Sequence, residues 1–442
     1  MGSSRRFIGR VIVRVLLVLV ALEALYLGVS NLILGTRLAR VTAESAEGLR
    51  IAYGRAFSIL PGRVHVRSLV LRFEDYNVQF ELGIDRARVE VDLLDLFRRR
   101  FHVHSVEAAG TAFKFRHKVH STKKGEARLA AFPPIAGFAD PPLYRGEHPP
   151  PVADADYELW EVHVENVRAK VNDLWMLEYR FQGNALATGS FTLRPQRWVR
   201  VLPGELAIHD GRLSAGPYLL AGKIAGTVQC SIPGLDVRAS SGMQVFKGIS
   251  GEVNLDLQNG TIDATRLYTE PYLNVVASGP LEAKVRARLS NGVVTPKTRI
   301  DLSSNDLEVG RPPVTIRGTW SARLINEEPA VEPRIEAVFE RGSLSYLNGT
   351  TKAPRIDRAA TTLQLESLDV TRRIEWGQSH SLPTSTCRTY RPWRYCSLPT
   401  VCSTFEERVT VTSKPSFIRP APARPPLKCE SKMGNGPPRT SR

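Results

Sequence analysis

Cysteine is scarce in this chain of 442 residues: there are five, and Cys387, Cys396, Cys402 and Cys429 all fall in the last 72 positions. A disulfide scaffold needs far more, and these four lack the paired close spacing of a zinc site. Cys230 stands alone in the body and reads as a small core thiol. G-x-x-x-x-G-K-[ST], G-x-G-x-x-G, H-E-x-x-H and G-x-S-x-G are all missing, which removes the commonest nucleotide-binding, zinc-protease and α/β-hydrolase readings. Helical periodicity is nearly absent beyond the stretch from the N-terminus towards Glu47. The exception is Asp92 to Arg100, where DLLDLFRRR predicts two turns. No second apolar run approaches the roughly 18 residues of a membrane span. The body also lacks an excess of charge. Of the net +16, residues 1 to 40 carry +5 and residues 371 to 442 carry +9, which leaves +2 between them. The basicity that would suggest a nucleic-acid partner therefore belongs to the two ends, and no such partner is expected.

What is present begins with an apolar run from Val15 to Leu34, long enough to cross a hydrocarbon core of about 30 Å as a helix. Arg5, Arg6, Arg10 and Arg14 precede it, so residues 1–40 read as a cytoplasmic N-terminus and signal anchor with the rest of the chain outside the cytoplasm. A cleaved signal peptide would need a shorter apolar region and a small-x-small site, whereas Leu25, Tyr26 and Leu27 stand where that site would fall. Glu23 is the one acidic residue of the span and is accounted for by helix packing or protonation.

After the anchor the sequence alternates with period two. Val78, Phe80, Leu82 and Ile84 are apolar against Gln79, Glu81, Gly83 and Asp85, and Val89 and Val91 continue the pattern. Trp160, Val162 and Val164 repeat it, as do Val253, Leu255 and Leu257, and it persists to Leu363 and Leu365. Asn259-Gly260, Asn291-Gly292, Asn348-Gly349 and Asp210-Gly211 suit tight hairpin turns, so the text reads as an antiparallel meander. With no helices to cover it, such a sheet must bury its apolar face against a second layer, against itself or against a ligand. One pattern running from 41 to 370 is too long for a single sandwich or small barrel. The expected architecture is mainly β: an N-terminal transmembrane helix, an elongated, curled antiparallel sheet and a disordered C-terminal tail. At about 25 strands spaced ~4.8 Å apart, the sheet would extend on the order of 100 Å. Residues 41–117 and 157–370 form its two segments. The proline-rich 118–156 between them is an ordered excursion or flexible loop.

Read with the anchor, PGRVHVRSLVLRF (61–73) and NVQFELGIDRARVEVDLLDLFRRRFHVHSVEAAGTAFKF (77–115) resemble the opening of AsmA-like and TamB-like proteins of the Gram-negative envelope. Leu93, Leu94, Leu96 and Arg98 to Arg100 match that family's short turn and basic stretch, and PGELAIHDGRLSAGPYLLAGKIAG (203–226) reads like its recurring strands. The resemblance covers about 41 to 370 and is one of texture without a signature residue. It implies a β-groove, or β-taco, whose apolar concave face carries phospholipid acyl chains, and it supplies no catalytic residue. It also implies inner-membrane anchoring, a periplasmic body, envelope protein partners and a part in outer-membrane biogenesis. The residues expected to line the groove are Val78, Phe80, Leu82, Ile84, Val89, Val91, Trp160, Val162, Val164, Val253, Leu255 and Leu257. The residues alone leave two readings level, an open lipid-facing trough or a face closed on itself as the filled core of a structural scaffold.

No metal or cofactor is expected. His102 and His104, followed by His117 and His120, are the one histidine cluster, and alternation with Phe101 and Val103 explains the first pair as the wetted face of a strand. An envelope enzyme using these histidines is the weakest reading. Asp154-Ala155-Asp156 lacks the α/β surroundings of a glycosyltransferase, and Asn259-Gly260-Thr261 and Asn348-Gly349-Thr350, which fit the glycosylation pattern, are already explained as turns. From Thr371 onward the 72 residues hold ten Pro, nine Ser and nine Thr without a single Asp, and alternation is lost. Such a stretch cannot bury enough apolar surface to fold. It reads either as a native basic tail for an acidic partner or peptidoglycan, or as shifted-frame translation that cuts a longer sheet.

Overall fold

An alternating strand fills its backbone hydrogen bonds from neighbouring strands, and the structure joins its strands in one sheet. The computed structural model describes residues 3–36, 48–119, 126–144, 146, 161–194, 197–236, 248–268, 275–311, 314–328, 333–346 and 355–364. These belong to a unit spanning Met1–Glu407; a second unit, Arg408–Arg442, lies wholly outside them. The tail from 371, the helical extension towards Glu47, Trp160, His120, Asp154-Ala155-Asp156 and Asn348-Gly349 also lie outside the described residues.

Helix α1 (Ser3–Gly35) contains the expected span, with Arg14–Gly35 long and apolar enough to cross a membrane. Its last turns dock on the short strand β2 (Arg55–Leu60). Asn31, which is polar in an otherwise apolar run, acts as a surrogate strand there. Its Oδ1 accepts the Ser58 N–H at 2.8 Å and its Nδ2 donates to the Ser58 carbonyl at 2.9 Å. Tyr53 Oη donates to the Leu34 carbonyl at 2.7 Å. The strand edge that would otherwise present unpaired backbone is thereby covered.

Strands β1 (Leu49–Ala52) and β2 both pair with β3 (Arg63–Glu74), which leads to β4 (Val78–Val91) and β5 (Arg100–His117). Beyond these run β6 (Glu161–Met176), β7 (Tyr179–Arg194), β8 (Trp198–Ala215), the short β9 (Tyr218–Ala221), β10 (Lys223–Asp236) and β11 (Ser250–Thr261). The order continues through β12 (Val276–Ser278), β13 (Pro280–Ser290), β14 (Val293–Val294), β15 (Thr298–Arg311), β16 (Val314–Asn326), β17 (Arg334–Tyr346) and β18 (Arg355–Gln364). All belong to one large, open, curled sheet.

Four expectations need correction. Among the described residues the sheet has 18 strands, not about 25, and many of them run 12 to 18 residues, so fewer strands account for the same alternating sequence. The meander is not antiparallel throughout: β5 and β6 pair in parallel, which requires a long crossover, and the proline-rich excursion is that crossover. Asp210-Gly211 and Asn259-Gly260 are not hairpin turns. Gly211 sits inside β8 opposite Gly183, and a Cβ there would strike the Phe181 ring. Asn259, at φ 54°, marks a bulge in β11. Asn291-Gly292, both at positive φ, does form the expected turn, between β13 and β14. The predicted two turns at Asp92 to Arg100 shorten to one, α2 (Leu93–Leu96), capped by Asp92.

The excursion is ordered over 126–144. Its helix α3 (Glu126–Ala130) is followed by residues that fold over the polar face of β4 and β5. Arg116 is fully buried beneath them, donating to Gln79 Oε1 (2.8 Å), the carbonyls of Pro133 (3.1 Å) and Ala139 (2.7 Å), and Asp140 Oδ1 (3.0 Å). Burial lowers its pKa, partly opposed by Asp140.

Candidate apolar face

Register decides which side chains share a face, since a slip of one residue would send every apolar group to the other side. Leu69, Ile84, Thr111, Val171, Ala185, Ile208, Gly226, Leu255, Val285, Ile300, Leu324, Ile335 and Leu363 are successive cross-strand partners from β3 to β18. This transverse row contains no charged residue. A second row, Val66, Ala87, Ala108, Ala169, Ala187, Leu206, Val228, Val253 and Ala287, runs beside it. Ala187 packs in both of the larger apolar clusters, so they form one surface.

The alternation changes phase along this surface without leaving it. Val78 to Ile84 hold even positions and Val89 and Val91 odd ones. Between them Asp85 lies opposite Ser68 (φ 52°) and Gly110 (φ 67°), both in left-handed backbone. A side chain on Gly110 would run into Asp85, so glycine is required there. Asn166 (φ 47°) makes the same correction on β6, its Nδ2 donating to the His104 carbonyl at 3.0 Å. Consequently Val78, Phe80, Leu82, Ile84, Val89, Val91, Val162, Val164, Val253, Leu255 and Leu257 all lie on one face. Only Ile84 and Val164 among them are buried; the others are half-buried. Val103, placed opposite the wetted His102 and His104 by alternation, is buried on this face, and sequence reasoning missed Val171, Phe181, Ala185 and Ile208, which are buried beside it, because phase changes hide their parity.

The two ends of the face differ. Near Val78 and its partner His117, the Phe132 ring packs edge-on against His117 at 5.3 Å, and Ala215, Ala264 and Leu267 form a small core. The buried Glu178 lies 3.0 Å from Arg128 Nε and accepts the Tyr268 hydroxyl. Burial, then the bonds to Glu178 and Tyr179, pushes the Tyr268 pKa far upward. Burial likewise lowers the His117 pKa, assisted by Arg128. His117 ends β5 while His102 and His104 begin it, so the histidines grouped in the sequence are not grouped in the fold. At that opposite end, Leu94 and Phe97 are 71% and 89% exposed.

The reverse face is charged and cross-paired. Glu81 binds Arg72 (2.6 Å) and Lys114 (2.8 Å), and Asp301 binds Arg299 (2.8 Å) and Arg323 (2.6 Å). Cys230 is half-buried, less covered than a core thiol, and burial raises its pKa.

No protein-family model matches the chain, and no curated protein matches it. Nothing beyond texture therefore links it to AsmA-like or TamB-like proteins.

Proposed function

We propose that this chain is an inner-membrane-anchored protein with a periplasmic body that binds or conducts phospholipid along the apolar face of its sheet. In this it would resemble AsmA-like and TamB-like proteins and support outer-membrane lipid homeostasis or assembly. The observation that carries the reading is the uncharged row from Leu69 to Leu363, flanked by side chains left half-buried. Apolar patches of such extent are not left to water, and acyl chains match a face that is long, continuous and uncharged. A closed scaffold core would bury Phe80, Leu82, Leu255 and Leu257 completely, and their partial exposure favours the trough.

Arg5, Arg6, Arg10 and Arg14 ahead of the span orient the N-terminus to the cytoplasm. The chemistry asked of the protein is solvation of acyl chains, with no catalysis, and its partners are phospholipid, the inner membrane and envelope proteins. Native mass spectrometry of gently extracted protein tests this. Bound phospholipid, several molecules per chain, is the expected result; protein free of lipid across several detergents would leave the scaffold reading in its place.

A further inference from the structure

The turn joining β4 to β5 gathers two histidines and two aspartates around one point. Asp92 caps α2 with one oxygen: Oδ1 accepts the N–H groups of Leu94 (2.8 Å) and Asp95 (3.3 Å). Its other oxygen, Oδ2, faces His104 Nε2 at 3.4 Å. Asp95 Oδ2 accepts the Nδ1–H of His102 at 3.0 Å, while Oδ1 takes Arg98 at 3.1 Å. With its proton held on Nδ1, His102 presents the lone pair of Nε2. That atom is buried, has no hydrogen-bond partner, and lies 3.3 Å from Glu165 Oε1 on the neighbouring strand β6. The two imidazole centroids are 4.4 Å apart, and one ligand atom from each of Asp92, His102 and His104 falls within 4.8 Å of the others.

We propose that Asp92, His102 and His104 bind a divalent transition-metal ion of the zinc type, with Glu165 closing the fourth position. Neutral imidazoles and carboxylates are the ligands such ions take at about 2.0–2.2 Å, which places tetrahedral ligand atoms about 3.4 Å from each other. The spacings of His104 to Asp92 and of His102 to Glu165 already match. Asp95 completes the pattern from outside, since a metal-bound histidine usually gives its other N–H to a carboxylate that fixes ring orientation and tautomer. An ion here would tie α2 and the start of β5 to β6 at the parallel seam. The site is on the charged side of the sheet and does not depend on the lipid reading.

The test uses the full chain, purified without a histidine tag, stripped with chelator and then titrated with Zn²⁺ by calorimetry alongside elemental analysis. One equivalent per chain is expected. His102→Gln with His104→Gln should remove it, Asp92→Asn, which preserves the helix cap, should weaken it at least tenfold, and Asp95→Asn should weaken it ten- to hundredfold. X-ray absorption of the loaded protein should report two imidazoles and oxygen ligands without sulfur. Failure of the wild type to bind, or uptake undiminished in Asp92→Asn with circular dichroism unchanged, overturns the site. If the double histidine variant misfolds, Asp92→Asn and the absorption spectrum still decide it.

Discussion

The phenolic oxygen of Tyr26, in the apolar helix α1, accepts the backbone N–H of Gly62 at 3.0 Å, joining that helix to the β2–β3 turn. Asn31 lies on the same side and pairs with both backbone groups of Ser58. Helix α1 is thus attached to the first edge of the sheet by specific bonds as well as by chain continuity.

Replacing Asn31 by Leu keeps the span apolar but leaves the Ser58 N–H and carbonyl without these partners, at about 1–3 kcal/mol for each unsatisfied group. Amide exchange at Ser58 should accelerate while the strands from β6 onward keep their protection. Unchanged exchange at Ser58 would show that the docking contributes nothing to the edge.

Leu82→Glu places a carboxylate on the apolar face, where burial without a partner costs several kcal/mol. In an open trough the charge reaches water once lipid leaves, so circular dichroism should stay near that of the wild type while extracted lipid falls. A folded variant with undiminished lipid would contradict the role of this strand, and an unfolded one would favour a closed core.

Phe181 lies across Gly211, and any Cβ at that position invades the ring. Gly211→Ala should therefore destabilise the body by about 1–3 kcal/mol through overpacking. Adding Phe181→Leu should return part of that loss, and a coupling energy near zero in the denaturation cycle would rule the contact out as the cause.

Burial alone would raise the Glu81 pKa, but the hydrogen bonds from Lys114 and Arg72 outweigh it and hold the group below its ordinary 4.5. A carboxylate depressed in the folded state adds stability above its unfolded value and loses it as pH falls through the folded one. Denaturation midpoints should drop below about pH 4.5, and Glu81→Gln should flatten that drop. A slope identical in the variant would assign the acid sensitivity elsewhere.

The strand character of the body, and the shared face of the expected apolar residues other than Trp160, were legible from alternation, because a half-covered sheet imposes period two directly. Local chemistry misled where tertiary contacts decided. Asp210-Gly211 has the composition of a turn, yet its glycine exists to admit Phe181. The parallel pairing of β5 with β6 was hidden because direction depends on a crossover that carries no periodic signal. His102 and His104 were visible as a pair sharing a strand face, but Asp92 reaches them only because the chain reverses at α2, and Glu165 only because β6 lies beside β5. Asn31 carries no local signal of its role in the helix, because its partner Ser58 is 27 residues away.

The Tyr26–Gly62 bond also fixes a depth. At 1.5 Å per residue, the helix end at Gly35 lies about 14 Å along the axis from the level of Tyr26. When Arg14–Gly35 spans a bilayer, Gly62 is therefore tied to the level of Tyr26 and not to the helix end at Gly35. Ile59 and Leu60, 58% and 47% exposed, travel with it, and so does α2, because the Val91 N–H donates to the Gly62 carbonyl at 2.7 Å just before Leu94 and Phe97. If the helix spans a bilayer, this end of the sheet is tied close to the membrane by specific bonds rather than by a free tether, and on the proposed reading it is where hydrocarbon of the leaflet would reach the apolar face.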